Sequence, residues 1–443
     1  MTSLVTTSLL EKITSHSATV GVVGLGYVGL PFAVEKAKVG FKVLGIEQNP
    51  VRAERVNRAD NYISDVIDTE LKEVVHTGHL KAFSNFESVP QMDIVVICVP
   101  TPLTKNLTPD LSYIENVTQE LAKYLRPGQL ISLESTTYPG TTDDVMRPIL
   151  EKTSGLKQGR DFFLAHSPER VDPGNKRYTT KNTNKIVGAS DPASLEVATL
   201  FYQQTILNVV PVSSAKAAEM VKVFENTFRA VNIALVNELA LLCDRMDLNV
   251  WEVLDAANTK PFGIMPFYPG PGVGGHCIPI DPHYLEWKAK EFNFNTRFIG
   301  LAGEINRRMP EFVKDKAWRT LNNLGIAPKN ANILAIGVAY KKDLSDWRES
   351  PSMDVIESLL KDHAQVSYHD PFVPKVSLGS HQLSSIELTT DALQQADLVL
   401  ILTDHSKLDY TFIVNEANAV LDTRGITRKL ELSPSQKAKV ILL

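Results

Sequence analysis

VVGLGYVGLP, residues 22–31, is the stretch that decides the fold of the first part of the chain. It continues an apolar run, ATVGVVGLG (18–26), that is typical of a buried β-strand, and an amphipathic pattern follows from Pro31 to Gly40. At the junction, Gly24-Leu25-Gly26-Tyr27-Val28-Gly29 gives the pattern G-x-G-x-x-G. Glycines at these positions permit a tight turn and a close approach of the backbone to a ligand. The stretch predicts a strand, a turn and a helix of the kind that opens a parallel sheet.

The same junction predicts a dinucleotide site that holds NAD. A helix N-terminus after Gly29 attracts phosphate oxygens. Glu47 ends the next apolar run, FKVLGIE (41–47), about 20 residues further on. A carboxylate there accepts hydrogen bonds from both ribose hydroxyls and repels a 2′-phosphate, which favours NAD over NADP. The alternative is a tight strand–helix turn without a ligand, and the combination of strand, helix and acid favours the cofactor.

Apolar runs at similar intervals predict two parallel sheets. The first 210 residues alternate such runs with helical patterns, as in Ser112 to Leu125, and this alternation is typical of a sheet with helices on both faces. The further runs of this part are DIVVICVP (93–100) and QLISLEST (129–136). The last third repeats the plan with ANILAIGVAY (331–340), AQVSYHDP (364–371), ADLVLILTDH (396–405) and NAVLDTRG (418–425).

The middle of the chain has a different pattern. Ala215 to Met246 contains neither Gly nor Pro, and apolar residues recur every three or four positions. A helix of that length would extend about 48 Å, which is typical of helices that bridge domains or pack against a second subunit. A Pro/Gly-rich stretch (260–282) and a second helical pattern, Tyr284 to Met309, follow. We therefore predict an α/β protein with two doubly wound Rossmann-like domains, 1–214 and 316–443, joined by a central helical domain, 215–315.

Composition excludes several classes of function. The chain has 443 residues, a formal net charge of -5 and no basic run, so nucleic acid is a poor candidate partner. No apolar run is long enough to span a membrane, and no basic leader opens the chain, so we expect a cytoplasmic protein without a membrane partner. Three widely spaced cysteines argue against a disulfide framework, and no spacing indicates a metal site. Residues before Ala18 are expected to form a short amphipathic helix or a loose arm.

Cys277 is the candidate nucleophile. It lies in GPGVGGHCIPIDP (270–282), where glycines let the backbone approach a ligand and present a thiol at a loop–helix junction. Asp281 follows one helical turn later if the helix has begun. A single cysteine is more often structural, but the glycine-rich setting and the predicted NAD site reverse that expectation. Cys98 and Cys243, in an apolar strand and on the long helix, are interpreted as small core residues.

Four further polar residues are candidates on position alone. Lys222 and Asn226 are four apart on the long helix and share a face, although an ordinary solvated face would give the same spacing. Thr101 and Glu169 stand in VPTP and SPER, at predicted strand ends, where open α/β sheets bind ligands. Turn formation by Thr, Ser and Pro is the alternative for these two.

Over nearly its whole length the chain resembles the nucleotide-sugar 6-dehydrogenases of the UDP-glucose/UDP-mannuronate type. The resemblance rests on VVGLGYVGLP (22–31), VPTP (99–102), SPER (167–170), Lys222 with Asn226, GPGVGGHCIPIDP (270–282), GVAYKKDLSDWRESP (337–351) and DTRG (422–425). It implies an NAD domain, a central helical domain and a carboxyl-terminal UDP-binding domain. It also implies a homodimer or larger assembly built on the central helices.

The resemblance implies a role for each matching residue. Cys277 would be the nucleophile with Asp281 as its partner, Lys222 and Asn226 would stabilise oxyanions, and Thr101 with Glu169 would order the hydrolytic water. The residues implied for NAD binding are Gly24, Gly26, Tyr27, Val28, Gly29, Glu47, Thr101, Thr136 and Arg348. Those implied for the UDP-sugar are Arg170, Lys222, Asn226, Gly274, His276, Lys341 and Arg424. The implied reaction is a four-electron oxidation of the sugar C6 alcohol to a carboxylate through a thioester on Cys277.

Departures from the glucose-specific pattern point to another branch. Pro173-Gly174, preceded by Asp172, stands where that branch has a second glutamate followed by Gly, so the role of that acid is unassigned. His276 and Ile280 replace its Ser and Lys. These features resemble the N-acetylhexosamine branch, above all enzymes that act on UDP-N-acetylglucosamine; the N-acetylmannosamine, N-acetylgalactosamine and glucose analogues stay open. A two-electron dehydrogenase of the hydroxyacid type and a non-catalytic nucleotide sensor are the alternatives from other classes.

Overall fold

The computed structural model of the protein describes residues 4–63, 65–104, 106–171, 177–275, 277–379 and 381–443. The chain forms two compact units, Met1–Glu225 with His283–Phe294 and Asn226–Pro282 with Asn295–Leu443. Each unit contains a mainly parallel sheet, so the predicted α/β class with two Rossmann-like sheets is confirmed. The boundaries 1–214, 215–315 and 316–443 stay a prediction. Within the described residues, no helix is long and apolar enough to cross a membrane.

The sheet of the first unit has the order β3-β2-β1-β4-β5-β6-β7-β8 among the described residues. Its strands are β1 Thr19–Val23, β2 Lys42–Ile46, β3 Leu80–Phe83, β4 Ile94–Ile97, β5 Leu130–Leu133, β6 Phe163–His166, β7 Lys185–Ala189 and β8 Val209–Val212. Neighbouring strands are parallel except β6 and β7. The strand order reverses between β1 and β4, and a crevice at the carboxyl ends of such strands is where open α/β sheets bind ligands.

Helices cover both faces of this sheet. They are α1 Leu4–Thr14, α2 Gly29–Lys38, α3 Pro50–Asn57, α4 Asp68–His76, α5 Ser112–Tyr124, α6 Arg147–Ser154 and α7 Pro192–Gln203, with a 3₁₀ turn at Val89–Gln91 and a π-helix at Thr141–Met146. Leu9 and Ile13 of α1 are buried in the core of this unit, and Lys12 forms an ion pair with Asp93 at 2.8 Å. Residues Leu4–Thr14 therefore form a packed helix, one of the two alternatives that the sequence left open for this part of the chain.

The middle of the chain is helical, as its sequence pattern predicts. The long helix α8 spans Ala215–Arg245, followed by α9 Val250–Asn258, α10 Asp281–Ala289 and α11 Arg297–Asn323. The prediction of one helix from Tyr284 to Met309 is wrong, because α10 ends in a 3₁₀ turn (Lys290–Phe292) and Asn293 adopts φ +53°. Asparagine tolerates the left-handed region and ends helices there. Phe292, Phe294 and Phe298, which prolonged the apolar pattern, are exposed.

The second unit contains a parallel sheet with the order β10-β9-β13-β14-β15 and a separate hairpin, β11–β12. The strands are β9 Asn332–Ile336, β10 Gln365–His369, β11 Lys375–Leu378, β12 His381–Ser384, β13 Leu398–Ile401, β14 Val420–Asp422 and β15 Val440–Leu442. The helices are α12 Pro351–Lys361, α13 Thr390–Gln395, α14 Tyr410–Glu416 and α15 Pro434–Lys437, with a 3₁₀ turn at Thr427–Lys429. Strands β9, β10, β13 and β14 lie in the four apolar runs that predicted them.

Candidate active site

Three glycines shape the turn between β1 and α2, each under a different constraint. Gly24 has φ +90°, in the left-handed region that favours glycine. A Cβ at Gly29 would lie 1.8 Å from the Gly24 carbonyl oxygen, so α2 begins in direct contact with the turn. A Cβ at Gly26 would meet no described atom within 4 Å. Tyr27 is exposed, and Val28 after it is partly buried. The turn thus has open space beside the backbone at a helix start, as a pyrophosphate requires.

Glu47 follows β2, and its buried carboxylate closes this loop. Its Oε2 accepts a hydrogen bond from the Leu25 N–H at 3.1 Å, and its Oε1 accepts one from the Asn49 N–H at 3.0 Å. The Tyr62 hydroxyl donates to the Leu25 carbonyl at 2.7 Å. Each carboxylate oxygen has a second lone pair for a hydroxyl donor. The glycine turn and Glu47 together fit the pyrophosphate and ribose of NAD.

Hydrogen bonds join the loops that follow β4 and β5. The Thr101 hydroxyl donates to the Thr136 carbonyl at 2.7 Å, which brings together two residues predicted separately from the sequence. The Ser135 hydroxyl accepts from the Val99 N–H at 2.9 Å and donates to the Val99 carbonyl at 2.7 Å. The Tyr284 hydroxyl donates to the Thr101 carbonyl. Because the Thr101 hydroxyl hydrogen is already donated, its oxygen acts toward a ligand as an acceptor.

Glu169 follows β6 and is held by both of its carboxylate oxygens. Oε1 accepts hydrogen bonds from the N–H groups of Arg170 and Val171, each at 2.7 Å. Oε2 lies 3.2 Å from the ammonium of Lys185, which is also 3.1 Å from Oε2 of Glu134. Lys185 and Glu134 were not predicted as site residues from the sequence. The available signal was a charged side chain inside or beside an apolar run, in KIVGA (185–189) and in QLISLEST (129–136).

The charges of this cluster shift one another's ionisation. Burial raises the pKa of Glu134. Burial would also raise the pKa of Glu169, but the Lys185 ammonium and the backbone hydrogen bonds outweigh it, and the pKa lies below its ordinary value. Burial would lower the pKa of Lys185, and the two carboxylates raise it instead. Glu169 is therefore an ionised carboxylate at neutral pH, suited to accept a proton from water.

The amino-terminal half of α8 brings further polar groups to the first unit. Arg170 donates to the Glu225 carboxylate from Nε at 3.2 Å and Nη2 at 2.5 Å. It also donates to the Asn184 carbonyl at 2.5 Å, so the predicted substrate contact of Arg170 stays a prediction. Lys222 is buried, with no carboxylate partner at ion-pair distance in the part of the chain that the structure describes. Its charge contributes to the low pKa of Glu169.

Glu219 anchors the same end of α8 to the loop after β5. Its carboxylate accepts hydrogen bonds from the Gly140 N–H at 2.5 Å and from the Thr142 N–H and hydroxyl at 2.8 and 2.7 Å. Burial raises the pKa of Glu219 to about 7, although these hydrogen bonds oppose the shift. Glu219 was not singled out in the sequence, where one glutamate on a long helix carries no distinguishing signal.

In the second unit, Cys277 lies at the turn that leads into α10. Of the three cysteines, Cys277 is exposed, Cys98 is partly buried and Cys243 is buried. The Cys277 carbonyl accepts hydrogen bonds from the N–H groups of Ile280 at 3.1 Å and Asp281 at 2.8 Å. Asp281 is the first residue of α10. The exposed thiol at a loop–helix junction is thus as the sequence predicts, and Asp281 is held one turn beyond it.

Asp281 and Asn226 are in direct contact. Nδ2 of Asn226 donates to Oδ2 of Asp281, and Oδ1 of Asn226 accepts from the Arg229 guanidinium. Asn226 and Asp281 are buried. These bonds fix which way the Asn226 amide faces, with its donor side toward Asp281. Arg229 was not predicted as a site residue, although it lies one helical turn after Asn226.

The glycines before Cys277 allow close packing against the start of α12 and the residues just before it. A Cβ at Gly272 would lie 2.9 Å from the Pro351 Cβ, and one at Gly274 would lie 2.7 Å from the Pro351 Cδ and 2.8 Å from the Glu349 carbonyl oxygen. The Gly275 N–H donates to that same oxygen at 3.2 Å. The Gly270 N–H donates to the Asn237 side chain at 3.1 Å. The loop that carries Cys277 is therefore held along its length.

The basic residues predicted to meet ligands lie around the carboxyl ends of β9 and β14. Lys341 is in the loop after β9, and Arg348 of that loop forms a bidentate pair with Asp346 at 2.9 and 2.6 Å. Arg424 follows β14, donates to the Leu402 carbonyl at 2.7 Å, and lies against Gly270. Burial lowers the pKa of Arg424. Their ligand contacts stay predictions. His276, Asp172, Pro173 and Gly174 lie outside the described residues.

Sequence models of three domains match the chain. The NAD binding, central and UDP binding domains of the UDP-glucose/GDP-mannose dehydrogenase family match residues 18–206, 216–308 and 334–429. A UDP-N-acetyl-D-mannosamine dehydrogenase of Pyrococcus horikoshii is 37% identical over 87% of this chain and 89% of its own. A UDP-N-acetyl-D-glucosamine 6-dehydrogenase of Pseudomonas aeruginosa is 34% identical over 88% of this chain and 90% of its own.

A solved structure supports the same relationship. The structure of UDP-D-ManNAc dehydrogenase from Pyrococcus horikoshii is similar to this chain with a TM-score of 0.86 and 33% sequence identity. The similarity covers 96% of this chain and 98% of that one. The chain therefore belongs to the UDP-glucose/GDP-mannose dehydrogenase family and is an NAD-dependent nucleotide-sugar dehydrogenase.

Proposed function

We propose that the protein oxidises the C6 alcohol of UDP-N-acetylglucosamine to the carboxylate, with Cys277 as covalent catalyst. The observation that carries the reaction type is the exposed Cys277 thiol at the start of the turn into α10, one turn before the buried pair of Asp281 and Asn226. A two-electron alcohol dehydrogenase needs no thiol. A four-electron oxidation needs one, because the aldehyde must stay bound while the cofactor is exchanged.

The proposed sequence of bond changes runs through Cys277. The alcohol first loses a proton and a hydride to give an aldehyde. The Cys277 thiolate adds to the aldehyde carbon to form a thiohemiacetal, and loss of a second hydride gives a thioester. Water then adds to the thioester carbon, the thiolate leaves, and the acid is released. The glycine turn and Glu47 would hold NAD, which would supply the hydride acceptor for the two oxidations.

Lys222 and Asn226 are proposed to stabilise the oxyanions of this sequence. The buried Lys222 ammonium lacks a carboxylate partner at ion-pair distance among the described residues, which leaves its charge available to a substrate oxygen. The amide nitrogen of Asn226 carries two hydrogens, one of which is donated to Asp281. Loss of one preorganised donor of this kind costs about 3–4 kcal/mol of activation free energy.

Thr101 and Glu169 are proposed to order the hydrolytic water. The Thr101 oxygen offers lone pairs, since its hydrogen is donated to Thr136. The ionised Glu169 can take the proton that water loses as it attacks. Removing Glu169 should therefore slow hydrolysis of the thioester more than its formation.

The substrate assignment rests on His276 and Ile280, which replace the Ser and Lys of the glucose-specific branch. The two relatives described above are named for N-acetylmannosamine and N-acetylglucosamine substrates, so the assay must include both sugars. We expect UDP-N-acetylglucosamine to exceed UDP-glucose in kcat/KM, because a site built for an acetamide loses a polar contact with glucose. A tenfold advantage for UDP-glucose would overturn the branch assignment. Preference for the 2- or 4-epimer would change the assigned substrate to UDP-N-acetylmannosamine or UDP-N-acetylgalactosamine, within the same branch.

The stoichiometry of the reaction distinguishes the competing functions. Two NADH per sugar and a carboxylate product are expected. One NADH and an aldehyde or ketone would indicate the two-electron alternative. Binding of NAD and UDP-sugars without turnover of any panel member would indicate a nucleotide sensor.

We also propose that the protein is at least a dimer through α8. The exposed apolar side chains of α8 include Met220, Phe224, Phe228, Leu235 and Leu242. At 100° per residue these five fall within an arc of about 80°, which makes one continuous stripe. A stripe of this kind marks an interaction surface. Light scattering at micromolar concentration should give at least twice the monomer mass, and a monomer would refute the proposal.

A further inference from the structure

We propose that Lys185 is a positioning residue that holds the Glu169 carboxylate ionised and oriented, and that Glu134 competes for the same ammonium. This inference rests on the proposed role of Glu169 in thioester hydrolysis. It concerns a cluster that lies within the first unit and is formed by Lys185, Glu134 and Glu169.

The topology of the sheet explains how the cluster forms. β7 runs antiparallel to β6, whereas the other neighbouring strands of the sheet are parallel. The first residue of β7, Lys185, therefore lies at the edge where β6 ends and Glu169 follows. Glu134 comes directly after β5, the other neighbour of β6, at the same edge. Three charged residues from three segments thus meet where β5 and β6 end and β7 begins.

The geometry places one ammonium between two carboxylates. Nζ of Lys185 lies 3.1 Å from Glu134 and 3.2 Å from Glu169, and the side chains of Lys185 and Glu134 are 4% and 0% exposed. Backbone N–H groups occupy the other Glu169 oxygen, so the rotation of this carboxylate is fixed. The other oxygen of Glu134 is buried and has no hydrogen-bond partner. Burying a carboxylate this way is costly unless a charge compensates it, which ties Glu134 to Lys185.

Other ionisable groups face the cluster from neighbouring elements. They are Lys36 on α2, Cys98 after β4, His166 on β6, Tyr202 on α7 and Lys222 on α8. Burial raises the pKa of the Cys98 thiol and the Tyr202 hydroxyl, so both are neutral near pH 7. Burial lowers the pKa of His166 to about 3, so it is neutral as well. Burial also lowers the pKa of Lys36, whose Nζ donates to the Phe201 carbonyl at 2.6 Å.

Removal of the Lys185 ammonium and removal of the Glu134 charge should have opposite effects on the proton affinity of Glu169. Without the ammonium, two nearby carboxylates are left facing each other, and protonation of Glu169 becomes easier. Without the charge on Glu134, the full attraction of Lys185 acts on Glu169, and its protonation becomes harder. A residue that only filled space would not change the proton affinity of Glu169 in opposite directions.

The test measures decay of the Cys277 thioester from about pH 3 to 8 by pH jump, rapid quench and intact-mass analysis, a range that includes the region below the ordinary glutamate pKa of about 4.3 where the Glu169 limb is expected. The four variants are Lys185→Met, Glu134→Gln, the double variant and Glu169→Gln, beside the wild type. We expect the acid limb of the decay rate to move up by about one pH unit in Lys185→Met and down in Glu134→Gln. KM for both substrates should change less than about threefold, because neither variant removes a proposed ligand contact. Thioester should accumulate in Lys185→Met at pH values that lie between the wild-type limb and the raised limb.

The outcomes separate this inference from the proposed function. If no thioester forms on wild-type Cys277, or if Glu169→Gln keeps the acid limb, the proposed mechanism fails. If thioester forms and the limb disappears in Glu169→Gln, but Lys185→Met and Glu134→Gln leave it unmoved or move it the same way, the positioning role is overturned. Should Lys185→Met fail to fold, Glu134→Gln alone must still lower the limb. The double variant, which removes both buried charges, must then raise it above that of Glu134→Gln.

Discussion

A single methyl group added at Gly274 should test whether the loop packing holds Cys277 in place. In Gly274→Ala, the new Cβ would lie 2.7 Å from the Pro351 Cδ and 2.8 Å from the Glu349 carbonyl oxygen. Gly274 does not have a positive φ, so alanine is allowed by the backbone and only the contact is changed. An ordinary contact of about 3.4 Å requires the loop to move by about 0.6–0.7 Å. A displacement approaching 1 Å at a reacting group costs about 100-fold in rate, so we expect kcat to fall by roughly 30- to 100-fold.

The assay for Gly274→Ala should separate position from folding and from cofactor binding. Steady-state NADH formation gives kcat, thermal unfolding reports stability, and titration of the apo protein gives the affinity for NAD. The affinity should be unchanged, because Gly274 is not among the residues proposed to hold NAD. A kcat within twofold of wild type would refute the reasoning. A matching loss of NAD affinity would show that the methyl group acts through general disorder rather than through the Cys277 loop.

The remaining predictions concern the thiol, the cofactor and one buried acid. Cys277→Ser should abolish acid formation and leave NAD and UDP-sugar binding intact by calorimetry, because serine is far harder to ionise; turnover near the wild-type rate would exclude the thioester. Gly26→Ala should weaken NAD binding without lowering the melting temperature, since its Cβ meets open space among the described residues, and unchanged affinity would place the pyrophosphate elsewhere. Wild-type kcat/KM should strongly favour NAD over NADP because of Glu47, and equal values would mean that its carboxylate does not meet the ribose. Glu219 has its pKa raised to about 7 in the folded state, so its contribution to stability is present at pH 4 and lost as the pH rises through 7. The glutamine of Glu219→Gln does not titrate. The difference in free energy of unfolding between wild type and this variant should therefore shrink by on the order of 3 kcal/mol between pH 4 and 8. A difference that stays constant with pH in denaturant titrations would contradict the raised pKa.

Local sequence patterns were sufficient for the long helix, the glycine turn and eight of the strands. They did not predict β3, β6, β7, β8, β11, β12 or β15. Apolar runs became β1, β2, β4 and β5 because each strand is buried on both faces, which leaves a continuous apolar signal. The helical pattern after Tyr284 wrongly predicted one continuous helix. Asn293 ends the helix, while apolar residues continue on an exposed surface. Periodicity reports which residues are apolar, and a single left-handed residue breaks the helix without changing that signal.

Contacts that depend on strand order could not be read from the sequence. The meeting of Glu169 with Lys185 requires β7 to run antiparallel to β6, and nothing in either segment specifies that direction. The meeting of Thr101 with Thr136 follows from the parallel pairing of β4 with β5, so it was within reach of the sequence. The reason for Gly272 and Gly274 also appears only in three dimensions, where Pro351 fills the space a side chain would need.

The two sheets share a plan, yet their equivalent carboxylates have different surroundings. Glu47 follows β2, and Asp370 follows β10; each accepts hydrogen bonds from the N–H groups of the turn after the first strand of its sheet. Oδ2 of Asp370 is also 3.0 Å from Nε2 of His405, and both side chains are fully buried. A ribose hydroxyl cannot approach Asp370 through that histidine as it can approach Glu47. The repeated pattern in the sequence therefore reports a repeated fold and not a second dinucleotide site, in agreement with the separate matches to an NAD binding and a UDP binding domain.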